Sequence, residues 1–90
     1  MASTTKKHRD FVSESMKGKD VTDLPGIGEV YGKRLHESGY VYARHILGMY
    51  LTLREDEQAF RDFLKNTCGA SSKSTYDCYK ALKDWCDHYI

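Results

Sequence analysis

Proline is nearly missing from this 90-residue chain, which holds one, Pro25, and only three cysteines. Strand-length runs of alternating apolar and polar residues are missing too, so little interrupts helical periodicity and nothing builds a sheet. The expected fold class is all-α. No apolar stretch approaches the length of a bilayer span, which argues against direct membrane insertion. An apolar leader is also lacking near the start, and an odd number of cysteines suits reduced thiols in the cytosol or nucleus. Zinc is not expected, because Cys78 and Cys86 lie eight positions apart with Leu82 between them on a helical pattern, whereas ligand pairs sit closer. Cys68, Cys78 and Cys86 read as core residues. Finally, a charge excess of one sign is absent: the formal net charge is +1. A nucleic-acid site must therefore come from local arrangement, not bulk charge.

Local arrangement is what the chain offers. Between two helical patterns stands Leu24-Pro25-Gly26-Ile27-Gly28-Glu29-Val30. Glycine tolerates positive φ and brings no side chain, so the backbone can turn sharply and an anion can approach it closely. From Gly28 onward the chain reads as a helix, whose first unpaired amides and positive dipole end face one point. Val21 and Leu24 supply apolar positions for a short first helix, and Ile27, Val30, Tyr31 and Leu35 for the second. The result reads as a helix-hairpin-helix over residues 20–38, with Gly32 as the small residue behind it and Lys33 and Arg34 as adjacent cations. Two glycines also serve as a plain turn between packed helices, and the flanking cations favour the phosphate reading. A dinucleotide fold is excluded, since no strand precedes the glycines. A second cation cluster, Lys6-Lys7-His8-Arg9, precedes Phe11 and Val12 and equally suits a solvated helix start. Residues 1–45 hold eight Lys and Arg against six Asp and Glu, and residues 46–90 six against seven.

The remaining chain reads as three more helices in a single domain, with no linker or repeat. Gly39 stops the second hairpin helix, and another helix runs from about Tyr42 to Leu53. Tyr42, Ile46, Met49, Tyr50 and Leu53 form its apolar face, which Ala43, Leu47 and Leu51 widen to roughly 200°. Such an arc suits burial against a second chain, with Gly48 allowing close approach, or a central helix packed on two sides. Asp56 and Glu57 start a fourth helix, with Phe60, Phe63, Leu64 and Thr67 facing inward, and Gly69 ends it. Ser71 or Ser72 caps a fifth, facing inward with Cys78, Leu82, Trp85, Cys86 and Tyr89. The segment from Gly69 to Lys73 repeats the small residues, helix-start amides and cation of the hairpin, either as a second phosphate site or as a helix-helix turn. Enzymatic chemistry finds little support. Hairpin-containing glycosylases need a pocket for a flipped base on a larger scaffold, and His8, His36, His45 and His88 suit surface or capping roles.

Lys7-His8-Arg9-Asp10-Phe11-Val12, Gly26-Ile27-Gly28-Glu29-Val30, Lys65-Asn66-Thr67-Cys68-Gly69-Ala70 and Trp85-Cys86-Asp87 together resemble the barrier-to-autointegration factor family, over essentially the whole chain. That resemblance implies a small helical homodimer of nuclei and chromatin, without cofactor or metal, that binds double-stranded DNA regardless of sequence. Each subunit would offer one DNA site, so the dimer would bridge two duplexes. The family also binds LEM-domain proteins of the inner nuclear membrane and A-type lamins, and acts in nuclear envelope reassembly and against foreign cytosolic DNA.

By the same resemblance, the DNA site comprises the backbone amides of Gly26, Ile27, Gly28 and Val30, the cations Lys7 and Lys33, and Ala70 and Lys73 at the second helix start. The dimer contact falls at Leu47, Gly48 and Leu51. Ser3, Thr4 and Thr5 stand where vaccinia-related kinases phosphorylate the family. Some positions depart from the family pattern: Tyr76 replaces an arginine, which removes one cation from the second site, and Ala59, Thr52 and Phe63 replace a leucine, a valine and a tryptophan of the LEM groove. A protein-interaction adapter with weakened DNA binding is the alternative reading.

Overall fold

The computed structural model describes residues 5–90. Five α-helices follow in order: α1 (Lys6–Ser13), α2 (Glu29–Glu37), α3 (Ala43–Thr52), α4 (Glu57–Cys68) and α5 (Ser72–Tyr89), with a single 3-10 turn, Val21–Asp23, between α1 and α2. The described residues contain no strand, only an isolated bridge between Asp20 and Tyr42. The all-helical expectation holds, with one change of membership. The first limb of the hairpin is that 3-10 turn and not an α-helix, because only three residues separate its Asp20 cap from Leu24. The fifth α-helix is instead α1, built on the cation cluster.

Side-chain caps set most of the boundaries. Thr5, Asp56 and Ser71 accept from the backbone amides of His8, Ala59 and Ser74, satisfying donors that a helix start leaves unpaired. Gly69 closes α4 in the left-handed region, at φ 72°. At α3 the His45 ring Nδ1 accepts from the amides of Val41 and Tyr42, a capping role of the kind expected for the histidines.

Apolar residues from every element meet in one core: Phe11 of α1, Val21 and Leu24 of the turn, Ile27, Leu35 of α2, Ile46 and Tyr50 of α3, Phe60 and Leu64 of α4, and Cys78, Leu82 and Cys86 of α5. Full burial of each Leu, Ile or Phe contributes about 1.5–3 kcal/mol. The three cysteines are free and buried, and burial pushes their thiols above the usual range. Helix α5 packs on both α1 and α4, and α2 on α4. Three side chains expected on inward faces lie outside: Val30 is 62% exposed, Tyr89 44% and Tyr42 38%. Ala43, Ile46 and Tyr50 are the buried face of α3, while Gly48 and Leu51 face solvent. Within one protomer, then, α3 is packed on one side only.

Candidate nucleic-acid interface

Two helix starts meet at one end of the fold, and the hairpin is built to leave backbone exposed there. Asp20 caps the 3-10 turn, accepting from the amide and hydroxyl of Thr22, and the Thr22 backbone bond leads in holding its carboxyl below the ordinary range. Leu24 then donates to the Val21 carbonyl and Ile27 to the Leu24 carbonyl, both at 3.0 Å. The Ile27 side chain is fully buried. Its amide is therefore taken within the loop, and Ile27 anchors the hairpin instead of presenting a donor.

The two loop glycines do different work. Gly26 has φ +86°, and a Cβ there would collide with the carbonyl of Ser74 in α5; it lets the hairpin lie against the second helix start. Gly28 has φ −102°, which any residue adopts, and a Cβ there would meet nothing within 4 Å. The fold does not need a glycine at 28. What its lack of a side chain provides is open access to the start of α2, where the amides of Gly28, Glu29 and Val30 have no backbone acceptor among the described residues. Val30 thus belongs to this surface through its N–H, although its side chain is outside the core.

Two of the lysines, Lys7 and Lys73, lie beside the hairpin, lining a cleft with Pro25 and Gly26. Lys7 Nζ donates to the Ile27 carbonyl at 3.0 Å, tying α1 to the hairpin. Partial burial lowers the Lys7 pKa, against the opposing pull of Asp23. Lys33 is exposed on α2. Lys73 Nζ pairs with Asp77 at 2.8 Å on the open face of α5, a surface pair worth about 0–1 kcal/mol that a stronger anion can displace. Thr5, Lys7, His8, Pro25, Gly26, Lys73 and Asp77 line one open cleft of about 270 Å³. The Ala70 side chain is buried and not displayed. Ser3 and Thr4 lie outside the described residues; Thr5 is the α1 cap.

Sequence reasoning missed the cross-links. The Ser71 amide donates to the Tyr31 hydroxyl, Arg34 Nη1 to the Cys68 carbonyl, and His8 pairs with Asp84 at 3.0 Å. Their partners lie tens of residues away, and only the tyrosine hydroxyl, on a residue otherwise read as apolar, signalled any of them. At the expected dimer helix, Leu47 is half-buried, Leu51 exposed, and Gly48 has open space beside it.

Known proteins are similar to this chain over nearly its whole length. Residues 2–89 match the family profile described as Barrier to autointegration factor. The chain is 53% identical over 90 residues to the barrier-to-autointegration factor of Danio rerio, with 100% of both chains covered. It is 51% identical over 87 residues to that of Homo sapiens, covering 97% of this chain and 98% of the other, and 49% identical over 90 residues to that of Drosophila melanogaster, covering 100% of both. By its residues over their whole length, this chain belongs to the barrier-to-autointegration factor family.

Proposed function

We propose that this protein binds double-stranded DNA through backbone phosphates, without reading sequence, and joins two duplexes as a homodimer. The family is a DNA-binding, non-enzymatic one. The observation that carries the reading is the open start of α2: unpaired amides behind a residue, Gly28, whose side-chain space is empty although the backbone does not demand glycine. Donors of this kind bind phosphate oxygens and carry no base code. Lys7, Lys33 and Lys73 supply the nearby positive charge. Dimerisation through Leu47, Gly48 and Leu51 would cover the face that α3 leaves exposed, and two copies would then carry two DNA sites.

The finer roles follow the family: residence in the nucleus, on chromatin and at the nuclear envelope as well as in cytoplasm, attachment to LEM-domain proteins and A-type lamins, action in nuclear assembly and against foreign DNA, and release of DNA after phosphorylation at Ser3, Thr4 and Thr5 by vaccinia-related kinases. No described helix is long and apolar enough to cross a membrane, so envelope attachment would run through those partners. For release, the physics is local. A phosphate adds about −1.5 to −2 charges, and on Thr5 it would stand in the cleft shared with Lys7 and Lys73.

An adapter with weak DNA affinity is favoured by one observation, the exposed Tyr76 with Lys73 already paired to Asp77 at the second helix start. A bridging assay separates the two. A tagged duplex is mixed with an untagged duplex of unrelated sequence, and recovery of the second only in the presence of protein supports DNA binding and dimerisation together. Failure to recover it, with a folded dimer in solution, would favour the adapter.

A further inference from the structure

The α5 start is gripped by α2 through two contacts that span the chain. The Ser71 N–H donates to the Tyr31 hydroxyl at 3.2 Å, and Arg34 Nη1 donates to the Cys68 carbonyl at 3.0 Å. Tyr31 and Arg34 stand three apart on α2 and so share one side of it. Between them they hold the turn that leads into α5, while Gly26 packs on the backbone of Ser74. Of these contacts only the Tyr31 bond reaches a helix-start amide, that of the α5 cap residue. Beyond it, the amides of Ser72 and Lys73 have no backbone acceptor among the described residues, as at Gly28, Glu29 and Val30.

We infer that Tyr31 is a positioning residue that couples the two helix starts, so that both engage neighbouring phosphates of one duplex. The inference rests on the DNA-binding reading above. Two donor sets on independently moving turns must be ordered each time DNA binds, whereas a fixed spacing removes that cost beforehand. A hydroxyl can accept the Ser71 amide; a phenyl ring of the same size cannot. Tyr31→Phe therefore removes the one link that reaches the α5 start amide, while the Arg34 and Gly26 contacts and the packing remain.

The test titrates the full chain with duplex DNA at several salt concentrations, using wild type, Tyr31→Phe, Tyr31→Leu, Lys73→Ala and the Tyr31→Phe/Lys73→Ala double variant. Loss of the hydroxyl is expected to weaken binding about two- to tenfold, the range of one hydrogen bond. The slope of log affinity against log salt should flatten by about 0.9, one phosphate contact, with helicity preserved in Tyr31→Phe and its thermal midpoint still well above the assay temperature. Tyr31→Leu, which also lacks the hydroxyl, should flatten it equally. In the double variant the losses should overlap and not add, because both changes disable the same helix start. Binding by wild type together with an unchanged slope in Tyr31→Phe, or additive losses in the cycle, would overturn the inference alone. No DNA binding by wild type would overturn the DNA reading and this inference with it.

Discussion

Gly26 and Gly28 are two positions apart, yet their substitutions should fail for different reasons. At Gly26 any Cβ meets the Ser74 carbonyl and the backbone sits at φ +86°. Gly26→Ala is expected to cost more than about 1 kcal/mol of stability, since strained backbone and a clash combine. At Gly28 neither condition holds, and Gly28→Ala should stay within about 0.5 kcal/mol of wild type. Urea unfolding of the two variants checks the contrast; equal losses would show that the hairpin geometry is misread. Lys7 is a case of shared duty. Because its ammonium already bonds the Ile27 carbonyl, Lys7→Met should lower stability by about 1 kcal/mol as well as DNA affinity, whereas Lys33→Met should lower affinity alone. Thermal melts beside DNA titrations separate them, and a Lys7→Met protein as stable as wild type would remove the structural role.

Among the elements, legibility followed length and local signals. Helices α4 and α5 could be read from Asp56, Gly69 and Ser71, because caps act within three or four residues and leave a local mark. The 3-10 turn was read as a helix because one turn has no periodicity to measure. Val30 was read as core since an apolar residue in a helical pattern usually is, but position 30 lies in the first turn of α2, where the chain faces the open amides. Donor availability was legible in outline and not in detail: the glycine spacing pointed to the loop, while the engaged Ile27 amide and the Tyr31 link from α2 to α5 arise from three-dimensional packing. For α1 the relevant signal is its cap. Glu at Thr4 and Thr5 removes the Thr5 cap on the His8 amide, so α1 should fray slightly while the other four helices keep their helicity, and DNA binding should weaken most at low salt. Circular dichroism with binding at two salt concentrations tests this, and unchanged affinity in a folded dimer would refute the switch.

At the scale of the whole molecule, a near-neutral chain has to concentrate its binding chemistry. One end presents two helix starts and their lysines; α3 presents Gly48 and Leu51 to solvent beside the half-buried Leu47. Gly48→Glu places a charge on that face where space is open, so it should yield a folded monomer by sedimentation while wild type sediments as a dimer at micromolar concentration. A monomeric wild type would end the bridging proposal. The central claim is that phosphates are held by backbone amides at the start of α2. Its most direct test is DNA affinity on several unrelated duplexes across a salt series, for wild type and Gly28→Glu. Wild type should bind all duplexes equally and lose affinity steeply with salt, and Gly28→Glu should bind none while keeping helicity and dimerisation. Strong preference for one sequence, or wild-type affinity in Gly28→Glu, would contradict it.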